Sequence, residues 1–169
     1  MKTLLSVLLI TLGASLASAD AKIGYVDVQR AIEQSSIGKK AKDEMKKEAD
    51  KRNKDLEKRK TDIDKMREDI EKKRAVLTEE AFTKRAQELQ EEMQKFNQLA
   101  AKAQGELQKK ESDLLEPIVK KMRTVIEKIA KDKGFSMVLQ SNPNAQIVLF
   151  STADSDLTED VIKAVDKEK

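Results

Sequence analysis

The chain has no cysteine, no histidine and no tryptophan, and only two prolines and five glycines among its 169 residues. Without Cys or His there is no thiol nucleophile, no disulfide, none of the commonest zinc ligands and no side chain that ordinarily titrates near neutral pH. An enzyme would have to work through carboxylates alone. Aromatic residues make up 3% of the chain, too few for a surface on which nucleic-acid bases stack. What fills the space is charge: 34 Lys and Arg against 31 Asp and Glu, a net charge of +3 and 38% charged residues. That is a coiled-coil composition rather than one with a single large core. With so small a net charge, any electrostatic role must come from local separation of sign.

At the N-terminus, Lys2 precedes an apolar run over residues 4–16, followed by Ala17-Ser18-Ala19, the small-x-small pattern of a signal-peptidase site. The run is shorter than the ~20 residues a bilayer span needs. Residues 1–19 are therefore expected to be a cleaved signal peptide, with export of a mature chain beginning at Asp20. No Cys follows the cleavage site to carry a lipoprotein's lipid, so a soluble product is expected.

Lys22-Ile23-Gly24-Tyr25-Val26-Asp27-Val28 reads as a strand, and Asp27 suits the cap of a short helix through Ile32. After a break at Ser35-Ser36-Ile37-Gly38, residues 39–133 carry a charge at almost every other position, and two long helices folded back on each other are expected. Ala49, Leu56, Ile63, Ile70 and Leu77 recur every seven residues, a seam that winds left-handed around a partner. The companion positions Met45, Arg52, Arg59, Met66 and Lys73 are mostly polar, so the seam is thin: one buried Leu or Ile per heptad contributes about 1.5–3 kcal/mol. Local support comes from i,i+4 pairs with the acid first, Asp43/Lys47, Glu48/Arg52, Asp50/Lys54, Asp55/Arg59, Glu68/Lys72 and Asp69/Lys73, at ~0.2–0.5 kcal/mol each. Such an arm is helical but loosely held to its partner.

Thr78 is a good N-cap, Glu79 and Glu80 suit a helix N-terminus, and Leu77 and Phe82 sit at staple spacing, which puts the hairpin tip at residues 76–78. The return arm has a fuller seam, with Phe82, Leu89, Phe96 and Ala103 at one position and Ala86, Met93, Ala100, Leu107 and Leu114 at the other. The register then shifts to Ile118, Met122, Val125 and Ile129, and Pro117 falls at the shift, so a kink or hinge is expected there. Gly134 ends the helix. Residues 135–140 and 145–150 read as two further strands around a turn at Ser141-Asn142-Pro143-Asn144, and a last helix begins near Thr158, with Leu157 and Ile162 as a possible staple. Three strands leave open edges and little core, which association would close.

Motifs for chemistry fail on inspection. Gly38-Lys39 resembles the end of a phosphate-binding loop, but Glu33 stands where glycine is required, and Asp154-Ser155-Asp156 begins like a calcium loop that has Glu159 in place of its turning glycine. The paired carboxylates lie on solvated faces beside Lys and Arg, with no apolar pocket to raise a pKa. No cofactor and no metal are expected. Residues 39–74 hold 16 basic and 11 acidic residues, a net of +5, and residues 75–116 hold 6 and 9, a net of −3. The basic first arm suits anionic partners, whereas the export signal, the interleaved acids and the missing aromatics argue against nucleic acid.

The strand Lys22-Ile23-Gly24-Tyr25-Val26-Asp27, the tip Leu77-Thr78-Glu79-Glu80-Ala81, Glu116-Pro117-Ile118, Gly134-Phe135 with Val138-Leu139, Val148-Leu149-Phe150-Ser151, and the run from Asp156 to Lys163 together resemble the Skp/OmpH family of periplasmic chaperones. The resemblance implies an α+β, mainly α fold: a long antiparallel coiled-coil hairpin (39–116) projecting from a small β-barrel body (20–38 and 117–169) that forms by trimerisation. It implies an ATP-independent holdase, not an enzyme, that keeps unfolded outer-membrane proteins soluble in the periplasm within a cavity between arms. Met45, Arg52, Arg59, Met66, Val76, Leu77, Phe82, Met93 and Phe96 are the candidate client-contacting residues and Pro117 the hinge; of these, Met45, Met66, Met93 and Phe96 are also read as internal seam packing. Contact with anionic lipid or lipopolysaccharide is a further expectation. The alternatives are a structural envelope spacer or adaptor that docks on one folded partner and, less favoured, a basic protein that binds anionic lipid or nucleic acid.

Overall fold

The computed structural model describes residues 21–142 and 148–168. The signal peptide expected at residues 1–19 lies outside them. The elements run β1 (Ile23–Asp27), α1 (Val28–Gln34), α2 (Ser36–Lys73), α3 (Glu79–Asp132), β2 (Met137–Ser141), a short 3-10 turn (Ala153–Ser155) and α4 (Thr158–Lys167). Long paired helices dominate, and beside them lies a two-stranded parallel sheet in which Ile23 faces Met137 and Asp27 faces Ser141. Parallel strands need a long crossover. Here the crossover is the whole helical hairpin.

Local chemistry sets the element ends. Asp27 Oδ1 accepts the Arg30 N–H at 2.9 Å and starts α1. The expected break before the first arm is a tight junction instead. Ser35 is fully buried; its Oγ accepts the Gly38 N–H at 3.3 Å and donates to the Ile32 carbonyl at 3.0 Å, and α2 begins at Ser36. A Cβ on Gly38 would stand 1.7 Å from the Ile32 oxygen, so only glycine fits where the two helices meet. Thr78 caps α3 through the Ala81 N–H, as its place after the tip predicts. Gly134, at φ 71°, closes the far end while the Phe135 N–H returns to the Ala130 carbonyl at 2.8 Å. The helix runs through Pro117 without a break.

The core lies at the sheet end of the molecule. Leu157, Val161, Ile162 and Val165 of the α4 region form an apolar stripe at helical spacing that packs with Val26, Ala31, Ala41 and Phe135 and with Ile118, Met122 and Val125 of α3. A polar chain ties the N-terminal strand to α4. The Asp27 N–H donates to Thr158 Oγ1 at 3.0 Å, Thr158 donates through Oγ1 and N–H to Asp156 Oδ1, and Arg30 pairs with Asp156 Oδ2 at 3.3 Å. Asp156, the last residue of the calcium-like motif, is thus engaged in capping.

The strand expected at 145–150 needs correction. Residues 145–147 lie outside the described residues, and 148–150 carry no strand. The backbone that meets the other edge of β1 belongs to Asp156, bridged to Tyr25, with the Leu157 N–H donating to the Tyr25 carbonyl at 2.9 Å. The start of α4 occupies the position that alternation alone would give to a strand.

Two substitutions separate core from surface. Leu157→Ala should cost about 2–5 kcal/mol in urea unfolding, because a fully buried side chain leaves a cavity. Met93→Ala, at an exposed position on α3, should stay within about 0.5 kcal/mol of the parent. Equal effects would contradict this placement of the core.

Candidate functional site

The helices that carry the candidate residues are long. The 38 residues of α2 span about 57 Å and the 54 of α3 about 81 Å at 1.5 Å per residue. Ala49, Leu56, Ile63 and Ile70 do lie on the less exposed face of α2, as the heptad predicts, with Leu77 half-buried just beyond it in the tip, and Phe82, Leu89, Phe96 and Ala103 do the same on the return arm. Among the described residues between 42 and 117, however, only Ile63 and Ala103 are fully buried. The seam is even thinner than the sequence pattern requires.

Charge occupies the rest of it. Glu44 pairs with Lys110 at 2.5 Å, Arg52 with both Glu48 at 2.8 Å and Glu106 at 3.1 Å, and Asp69 with both Lys73 and Arg85 at 2.5 Å. Arg59 and Glu92 line one small cavity and attract each other across the seam. The Lys73 ammonium bonded to Asp69 holds its carboxyl below the usual carboxylate range, with Arg85 adding to the effect. Lys95 does the same to Glu92 and is raised in return, and the bond that Lys110 donates to the Glu44 carboxylate raises Lys110. Of the six i,i+4 pairs expected along α2, those at Glu48/Arg52, Glu68/Lys72 and Asp69/Lys73 are closed.

Because charged side chains bridge the helices without filling the space between them, cavities open along the seam. One of about 460 Å³ is bounded by Arg52, Leu56, Arg59, Leu99, Ala103 and Glu106. Its smaller neighbour, about 70 Å³, brings together Arg59, Met66 and Phe96 with Ile63 and Glu92. A third, about 230 Å³, runs from Met66 past Ile70 to Arg85.

The structure thus gathers Arg52, Arg59, Met66 and Phe96 along the seam. Val76, 81% exposed, sits at the tip beside half-buried Leu77 and Phe82, whose ring carries the Arg74 guanidinium at 3.9 Å. Met45 is half-buried near the root and Pro117 lies on an exposed face. Met93 is a correction: it is 40% exposed and not internal packing. The rest of the expected second line, Ala86, Ala100, Leu107 and Leu114, is half-buried, and a further half-buried line runs beside it through Arg85, Glu92, Leu99 and Glu106. Sequence reading missed these four because three of them are charged. Their seven-residue spacing, three positions after Phe82, Leu89, Phe96 and Ala103, was the available signal.

At the other end, Ile23, Met137, Leu139, Leu149 and Phe150 are exposed, the last two at 88% and 87%. With Tyr25 and Val148 most of them border a recess of about 410 Å³. Among the described residues there is no group of three or more acidic side chains placed to hold a metal ion, and no helix long and apolar enough to cross a membrane.

Comparison with known proteins agrees with this architecture. No protein of the curated set matches the chain. A crystal structure of a protein from Caulobacter crescentus CB15, assigned as an outer membrane chaperone (OmpH-like), superposes with a TM-score of 0.76 at 19% identity, covering 88% of this chain and 86% of that one. At that identity the likeness establishes the fold. The family model for outer membrane protein (OmpH-like) matches residues 22–165, which is nearly all of the chain beyond the expected signal peptide. The chain therefore belongs to the OmpH-like family, the non-enzymatic Skp/OmpH chaperones whose motifs run from its first strand to its last helix.

Proposed function

We propose that the mature chain is a periplasmic, ATP-independent holdase that encloses unfolded outer-membrane proteins between helical arms. The observation that carries this reading is the seam: for more than two-thirds of α2 the arm is buried only at Ile63 and, on the return helix, Ala103. A limb of that length, so poorly covered by its own packing, suits many weak contacts with a non-native chain. Each contact would be weak, so no single pocket is required. Soft side chains at Met66 and Phe96 beside open cavities favour the same use, since they repack at low cost.

The body, residues 20–38 and 117–169, would assemble three copies, and the arms, 39–116, would hang from it around a chamber. Support comes from the apolar face of Ile23, Met137, Leu139, Leu149 and Phe150, which is large, contiguous with the small sheet and uncovered in one copy. Among the described residues no strand pairs with the second edge of β2, which lies beside that face. The first turns of the arm, at Ala41 and Leu114, join the body core, so arm and body are continuous at the root. Removal of residues 1–19 on export would place the product in the periplasm.

Two experiments test the reading. Mature protein added to an outer-membrane barrel diluted from urea should suppress light scattering at about one assembled trimer per client, whereas unchanged scattering would contradict the holdase. In sedimentation equilibrium the parent chain should run as a trimer, and Leu149→Asp with Phe150→Asp should shift it to monomer without loss of helix in circular dichroism. A parent that is monomeric at every concentration would remove the chamber.

A further inference from the structure

We propose that the hairpin is closed by an ionic latch: cross-helix ion pairs, rather than apolar packing, hold α2 against α3 along the middle of the arm, and weakening them lets the helices part at the seam cavities while the body stays folded. The inference concerns the hairpin alone and does not depend on the client reading above.

The pairs form an ordered series. From root to tip, α2 presents Glu44, Arg52 and Asp69 and α3 answers with the ion-pair partners Lys110, Glu106 and Arg85, while between them Arg59 faces Glu92 across a small cavity, Glu92 being paired within α3 to Lys95. Acid, base, base, acid meets its complement at every position. The series also specifies register. Sliding α3 by one heptad in one direction loses all three ion pairs and turns Arg59 toward Arg85; sliding it in the other keeps only Arg52, now facing Asp113, and turns Asp69 toward Glu92. A one-letter change in seam hydrophobicity would not discriminate these registers, because Ala49, Leu56, Ile63 and Ile70 repeat with the same seven-residue step.

Exposed ion pairs are individually weak and are screened by salt. They govern this interface because so little competes with them: Ile63 and Ala103 are the buried residues of the middle arm. A gap of about 460 Å³ lies between the Arg52–Glu106 pair and the Arg59 position, so that is where screening separates the helices. Leu56 and Leu99 on its walls would then meet solvent. The body has no comparable dependence, since its closure rests on Val26, Met122, Val125, Leu157, Val161 and Val165.

Spin labels read the latch directly, because the chain has no native cysteine. Thr61→Cys with Gln94→Cys reports across the arm and Gln29→Cys with Lys163→Cys across the body, all at exposed positions. Labelled mature chain is diluted into unlabelled chain so that only distances within one hairpin are seen. Raising NaCl to about 1 M, where the Debye length is about 3 Å, should broaden and lengthen the arm distance by ~5 Å or more, about half the 8–10 Å separation of packed helices. The body distance should not move. Lys110→Glu should open the arm at low salt with helix content kept, and Glu44→Lys combined with Lys110→Glu should close it again. An arm distance indifferent to salt, a single swap that behaves as the parent, or a body distance that moves together with the arm would each overturn the proposal.

Discussion

The constraint on which the structure depends is the exchange of apolar contact for charge along the seam between α2 and α3. A two-helix interface of this length ordinarily repeats buried side chains at two positions in every heptad. Here few positions are buried, and half-buried Arg52, Asp69, Arg85, Glu92 and Glu106 share the interface with small or half-buried apolar residues. Ion pairs keep the helices adjacent without expelling all the space between them, and the cavities beside Leu56, Met66 and Ile70 follow from that. The helices themselves do not need the seam. Backbone bonding and i,i+4 pairs such as Glu68/Lys72 act within each of them.

The body shows the opposite choice. The hairpin is inserted between two strands that pair in parallel, so everything that holds β1 to β2 also holds the two roots of the arm together. Leu157, Val161, Met122 and Val125 join the core packed at that junction, while the chain from Asp27 through Thr158 to Asp156 and Arg30 satisfies the polar groups that burial would strand. Gly38 allows α1 to press its Ile32 carbonyl against the first turn of α2, which directs the arm away from the core. A firmly rooted limb with a yielding middle suits a family whose members act without a catalytic centre.

Much of this was legible in the residues. Asp27, Thr78 and Gly134 announce element ends through side-chain chemistry that acts over three or four residues, and the structure has each where the pattern placed it. The seam of α2 and one line of α3 followed from a seven-residue repeat. The second line held at Ala86, Ala100 and Leu107 but not at exposed Met93, and the charged line beside it was missed because Glu92 and Glu106 look like surface. Pairing across an interface is not a property of either helix alone, so no reading of one helix reveals it. The same holds for Ser35 and Gly38, which resemble a loop in sequence and form a buried helix junction in space. Residues 148–150 have strand composition but carry no strand, and the backbone that meets the second edge of β1 is that of Asp156, which also accepts the Thr158 N–H at the start of α4.

Residue-resolved native-state hydrogen exchange along α3 tests the central claim most directly, because one continuous helix passes from the thin seam into the dense core. Amides at residues 82–107 should exchange through local opening well before those at residues 118–130, which should exchange only with global unfolding. Equal protection along the whole helix would contradict the account.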